Sequence, residues 1–245
     1  MVISFLAISY QLSAFEECSQ NIYMAINQVF FYIPNLIGYV RFIFYLVSFV
    51  CHSLGYWQLC IGLYAIAFIL DEFDGRAARA YNQSSNFGAA LDMVADRSAT
   101  AGLCLILAQL YPNYLLAFIG AIALDISSHY YLIYATGMRG SASHKDSAEW
   151  SNNKILKLYY GNKTFMDLLI LGNELFYLLL YLDFYLVGVS LNLGGWQTSI
   201  WQLLLIVFLP IYLLKQVTNI LQLQAAGQEI AKLDLVERES KSTTE

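Results

Sequence analysis

The chain has 245 residues, of which 58% are apolar and only 13% charged, with a formal net charge of −5. A soluble globular chain carries about 25% charged residues, so the composition excludes an ordinary soluble domain and fits a polytopic membrane protein. The negative balance offers no basic face and excludes nucleic acid as a partner.

The chain opens with "MVISFLAISYQLSAFEECSQNIY", whose first 14 residues are mostly apolar and uncharged. That run is too short to span a bilayer. It also lacks the basic region of a signal peptide, since no Lys or Arg precedes Arg41. A cleaved signal would leave the following residues in the lumen, against the orientation that the loop charges dictate. Residues 1–33 therefore read as an N-terminal segment outside the spans.

The run from Phe42 to Leu70 holds no Lys, Arg, Asp or Glu, and its 29 residues exceed one straight span. Together with the preceding "PNLIGYV" it divides at "CHSLGY". Six spans are predicted, over about 36–51, 57–79, 88–110, 114–134, 165–187 and 200–220. No strand is expected, because the apolar runs are continuous rather than alternating. The fold class is all-α: a six-helix membrane domain over 34–221, followed by a polar tail over 222–245 that is expected to fray into disorder.

The loops after spans 1, 3 and 5 contain no Lys or Arg, whereas the opposite side collects Arg41, Arg76, Arg79, Arg97, Arg139, Lys145, Lys154, Lys157, Lys163, Lys215 and Lys232. The positive-inside rule places both termini, and the segment between spans 2 and 3, in the cytosol. Cys18, Cys51, Cys60 and Cys104 show no metal-ligand spacing and read as free thiols.

The segment that joins spans 2 and 3, "LDEFDGRAARAYNQSSNFGAALDMVADR", concentrates carboxylates where a membrane helix tolerates them poorly. Asp71 and Asp74 lie one helical turn apart, as do Asp92 and Asp96. A connection of about eight residues brings the two pairs to the same cytosolic end. Four carboxylates repel one another when bare, and hard divalent cations such as Mg²⁺ or Mn²⁺ resolve the repulsion. Two such ions balance four negative charges and suit a phosphate-rich substrate. Gly75, Ala77, Ala78, Gly88, Ala89 and Ala90 are small enough for helices and a ligand to approach closely. Arg79 can grip phosphate with its planar fork. On the residues alone, a catalytic metal site competes with an ion or proton pathway and with a structural acidic cluster.

The spacing Asp71-x2-Asp74-Gly75-x2-Ala78-Arg79-x8-Gly88-x3-Asp92-x3-Asp96 resembles, position for position, the signature of the CDP-alcohol phosphotransferase family. "PNLIGYVRF", "FGAALDMVADR", "RGSASHK" and "GNELFYLLLYL" further resemble the eukaryotic, inositol-using branch of that family, from about Met24 to the tail. The resemblance implies six transmembrane helices, a cytosol-facing site, an endoplasmic reticulum location and a homodimer. It implies CDP-diacylglycerol and myo-inositol as substrates, with an alcohol hydroxyl attacking the β-phosphorus and CMP leaving. On it, Asp71, Asp74, Asp92 and Asp96 hold two metal ions, and Asp96 also takes the proton of the attacking hydroxyl. Gly75 and Arg79, with Ser85, contact the cytidine diphosphate portion. Asn35 either approaches the cytidine or caps a helix. Counted from Met24, the chain starts as members of that branch do, so residues 1–23 are expected to be dispensable.

The acceptor needs a polar pocket. The best candidates lie in "MRGSASHK" after span 4: Arg139, Ser141, His144 and Lys145. The competing reading of that segment is a solvated loop near lipid headgroups. Asp125 and His129, one turn apart inside span 4, either act on substrate or brace the helix. Asn173 and Glu174 in span 5 read as polar contacts between helices. Two functions remain as rivals: transfer to another alcohol such as choline or glycerol phosphate, and ion transport through the aspartates. A cation path gains nothing from Arg79 beside it.

Overall fold

The computed structural model describes residues 20, 24, 26–139, 153–186, 190–193 and 196–242. Seven labelled helices follow in chain order: α1 (Ile33–Ser53), α2 (Trp57–Ala80), α3 (Asn86–Leu110), α4 (Leu115–Met138), α5 (Lys154–Gly161), α6 (Lys163–Tyr185) and α7 (Ile200–Ser242). Two short strands, β1 (Ser190–Leu193) and β2 (Trp196–Ser199), pair antiparallel between α6 and α7. The chain divides into two compact units, Met1–Asp96 and Arg97–Glu245, and the division falls inside α3.

In the first unit the long apolar run breaks where expected. After α1, Gly55 takes a left-handed backbone with φ +85°. Its N–H reaches the His52 carbonyl and that of Tyr56 reaches the Cys51 carbonyl, each at 2.9 Å. This paired cap ends the helix, and only glycine adopts the conformation without strain. The helices α1 and α2 then pack along each other. Tyr45 meets Tyr64 edge to face at 4.9 Å, beside buried Cys60 and Ala67. The helix α2 ends through the same device, with Asn82 at φ +53° in place of glycine. Gln83 donates its N–H to the Ala78 carbonyl at 2.9 Å. Asparagine tolerates the left-handed region better than most residues.

In the second unit, α7 packs against both α4 and α6. Leu132, Ala135 and Ala226 form a small apolar core, and Phe176 stacks on Tyr212 at 4.4 Å. Polar side chains tie the apolar helices together, as hydrogen bonds do where no water competes. Arg97 donates to Asp125 at 2.7 Å, and Asp125 also neighbours His129. Thr100 donates to Glu174 at 2.9 Å, and Gln216 donates to Asn173 at 2.9 Å. Asn173 and Glu174 thus make the interhelical contacts expected of them, and Asp125 is engaged in bracing.

Two expectations change. The strand pair contradicts the expectation of a strand-free chain. Its sequence signal is Gly194-Gly195 between two short runs, a two-residue hairpin connection. The tail does not fray at 222, because α7 continues to Ser242. Gln222, Ala225, Ala226 and Glu229 recur on one buried face of it, and Glu229 accepts from the Arg139 Nε at 2.8 Å. Four of the six expected spans correspond to helical segments long and apolar enough to cross a membrane: Ile33–Ser53, Pro112–Met138, Lys163–Tyr185 and Ile200–Glu239. The helices α2 and α3 fall outside that set because their facing ends carry Asp71, Glu72, Asp74, Arg76 and Arg79, and Asp92, Asp96 and Arg97. Cys51, Cys60 and Cys104 are free thiols, as expected.

Candidate functional site

The site belongs to the first unit. Helical spacing on α2 puts Asp71 and Asp74 on one face, and spacing on α3 does the same for Asp92 and Asp96. The turn at Asn82 reverses the chain so that the two faces meet. Oxygens of Asp71, Asp74 and Asp92 lie within 4.8 Å of one another, a grouping able to hold a metal ion.

A residue of α1 completes the cluster. Arg41 has a fully buried side chain, and its guanidinium meets all four aspartates. Its Nη2 lies 2.6 Å from Asp71 and 2.6 Å from Asp96. Its Nη1 lies 2.8 Å from Asp92 and also pairs with Asp74. Sequence reasoning counted Arg41 only as a cytosolic-side charge. The available signal was an arginine inside a predicted span, which is a functional candidate by default.

The donor set fits divalent cations. Four carboxylates face one guanidinium, so three formal negative charges remain for cations to balance. The arginine closes the inner side of the cluster, whereas the Asp92 side chain is 48% exposed and that of Asp71 36%. Carboxylate oxygens are therefore accessible from outside, and hard oxygen donors at this density select hard cations.

Beside the carboxylates a cavity of about 190 Å³ opens, lined in part by Asp74, Gly75, Ala78, Gln83, Ser85 and Asp92. Small residues, Gly75, Ala78 and Gly88, sit along its lining. A Cβ on Gly88 would come 2.7 Å from the Asn35 Oδ1 and 3.1 Å from the Ser85 Oγ, so a larger residue there would have to displace the Asn35 amide. Ser85 accepts from the Gly88 N–H at 3.0 Å, capping the start of α3. The N-terminus of α3 therefore opens at the cavity, and the exposed amides of a helix start favour anions.

Asn35 is buried inside α1 and also lines the cavity. It is not the cap residue of that helix, a position held by Tyr32. Its amide donates instead to the Val29 carbonyl at 2.6 Å. Gln83, which the spacing rule treats as a free position, accepts from the Ile33 N–H at 2.9 Å. That bond fixes the Gln83 amide with its NH₂ turned away from Ile33. Arg79 is exposed, lies against Gly75 and forms no ion pair among the described residues.

Of the acceptor candidates, only Arg139 is described. It closes α4 and pairs with Glu229 of α7, within the second unit. Ser141, His144 and Lys145 lie outside the described residues.

The chain matches the model of the CDP-alcohol phosphatidyltransferase family over residues 31–186. It is 41% identical to the CDP-diacylglycerol–inositol 3-phosphatidyltransferase of Candida albicans, over 86% of each chain. It is 39% identical to the human protein of the same name, over 88% of this chain and 98% of the other. With the Saccharomyces cerevisiae counterpart it shares 39% identity over 89% and 94%. No solved structure matches the chain significantly.

Proposed function

The chain belongs to the CDP-alcohol phosphatidyltransferase family, and we propose that it transfers the phosphatidyl group of CDP-diacylglycerol to myo-inositol, releasing CMP. The observation that carries this reading is the convergence of all four signature aspartates next to a cavity walled by Gly75, Ala78 and Gly88. The name shared by relatives from fungi and human supports inositol as the acceptor.

Asp71, Asp74, Asp92 and Asp96 would hold two divalent cations, Mg²⁺ or Mn²⁺. When bound, these neutralise the diphosphate and stabilise charge that develops on the transferring group. Gly75 lets the nucleotide approach the α2 backbone. Arg79 supplies a planar fork to phosphate oxygens, and Ser85 and Asn35 line the nucleotide side. Asp96 accepts the proton of the attacking inositol hydroxyl, because an alcohol is a weak nucleophile at neutral pH. The new bond joins that oxygen to the β-phosphorus, and the bond from this phosphorus to CMP breaks with its electron pair on the leaving phosphate. Arg139, Ser141, His144 and Lys145 are assigned to the acceptor.

The enzyme sits in the endoplasmic reticulum membrane with six spans, as a homodimer, its site and both termini facing the cytosol. At 24 and 25 residues, α2 and α3 would each reach about 36 Å at 1.5 Å per residue, enough for a hydrocarbon core of about 30 Å. The distribution of Lys and Arg supports the orientation.

The test offers the purified protein CDP-diacylglycerol with inositol, choline or glycerol phosphate in turn and identifies the phospholipid product. Phosphatidylinositol from inositol alone is expected. Product from another alcohol would move the protein to a different branch, and no product with any alcohol would revive the ion-pathway reading.

A further inference from the structure

We propose that Arg41 is a resident counter-cation of the carboxylate cluster, holding the four aspartates together in the metal-free protein and competing with the metal ions for them. The proposal rests on the metal-site reading above and concerns how that site is assembled.

The geometry divides the cluster evenly. One nitrogen of the guanidinium serves Asp71 and Asp96, and the other serves Asp74 and Asp92. Each nitrogen thus joins a carboxylate of α2 to one of α3. Converging four carboxylates without a counter-charge would force the facing ends of α2 and α3 apart. With Arg41 between them, the metal-free protein keeps the arrangement that cations require. The arginine comes from a third helix, and its side chain is fully buried, so it cannot leave for solvent as a surface lysine would. Arginine suits this place because it stays charged when buried and its fork matches several carboxylates at once.

The same contacts set an opposition. The atoms Asp71 Oδ1, Asp92 Oδ1 and Asp96 Oδ1 that face the guanidinium are oxygens a cation would also seek. A divalent ion at these carboxylates meets a positive charge a few ångström away, in surroundings where screening is weak. Metal and arginine are therefore alternative counter-ions, and cation binding is weaker than four carboxylates alone would give. An anionic diphosphate arriving beside the cluster offsets that repulsion, so cations and CDP-lipid favour each other's binding.

The test compares wild type with Arg41→Gln in nanodiscs by two measurements that need no turnover. Thermal unfolding is followed in chelator and in millimolar Mn²⁺, and Mn²⁺ affinity is measured by electron paramagnetic resonance without CDP-lipid. Arg41→Gln should lose more thermal stability in chelator than in Mn²⁺, and its Mn²⁺ affinity should rise about tenfold. If Arg41→Gln does not fold, Arg41→Lys takes its place. An ammonium keeps the charge but reaches fewer carboxylates, so the chelator-specific loss should persist in smaller form. Equal loss of stability in both conditions, or unchanged or weaker Mn²⁺ affinity, would reduce Arg41 to a brace between helices. Wild type that shows no Mn²⁺ binding at all would overturn the metal-site reading and this proposal with it. A failure of the acceptor assay alone, with Mn²⁺ bound normally, would overturn only the choice of acceptor.

Discussion

Arg41 Nη2 lies 2.6 Å from Asp96, the last aspartate of the signature, and the same nitrogen holds Asp71 on the neighbouring helix. Asp96 is thereby anchored through Oδ1, while its side chain remains 31% exposed. An anchored and reachable carboxylate is what a proton acceptor requires. An asparagine can still accept from Arg41 through its amide oxygen but cannot take a proton. Asp96→Asn should therefore lower the transfer rate by about 10²–10⁴-fold with CDP-lipid binding still measurable. Activity within tenfold of wild type would remove Asp96 from that role.

Arg79 reaches out beside Gly75 from the exposed side of α2. Replacing it with lysine keeps a charge but loses the two-pronged grip on phosphate. The KM for CDP-diacylglycerol should rise about tenfold, the scale of one lost charge-assisted contact. The KM for inositol should stay the same. An unchanged constant for the CDP-lipid would reject the assignment.

Gly88 sets the distance between the start of α3 and α1. A methyl group there meets Asn35 Oδ1 at 2.7 Å, and Asn35 is buried with its amide already committed to Val29. Gly88→Ala should cost about 1–3 kcal/mol, as overpacking does, and should narrow the cavity, raising the KM for the CDP-lipid. Thermal unfolding and kinetics of the variant check both parts, and wild-type values in both would contradict the close approach.

Asn82 carries the reversal that brings the two carboxylate pairs together, with φ +53°. A β-branched residue pays about 1–2 kcal/mol for that conformation. Asn82→Val should lower thermal stability accordingly, while Asn82→Gly should be neutral or slightly stabilising. Equal stability of all three would show that the turn relaxes elsewhere.

The aspartates were legible because helical period and fixed spacing put them on two faces without any knowledge of packing. The break at Gly55 was legible for a similar reason, since a 29-residue apolar run must turn and the polar "CHSLGY" stands at its middle. Arg41 was not legible as a member of the cluster. Its partners lie 30 to 55 positions away on two other helices, so its place inside a predicted span marks it as a candidate without naming the side chains it meets. The roles of Gln83 and Ser85 escaped in part for the same reason, because a fixed-spacing signature leaves its intervening positions blank. The hairpin was missed through the weight given to long apolar runs, which hid a short Gly-Gly connection. The tail was misread because its composition is polar overall, whereas its buried face, Gln222, Ala225, Ala226 and Glu229, emerges only at helical spacing against a partner.

The most direct measurement is release of labelled CMP from CDP-diacylglycerol by the purified protein, with and without inositol and with and without chelator. The account predicts CMP release only when inositol is present, matched mole for mole by phosphatidylinositol, abolished by chelator and restored by Mg²⁺ or Mn²⁺. CMP release that ignores inositol, or transfer that proceeds undiminished in chelator, would contradict it.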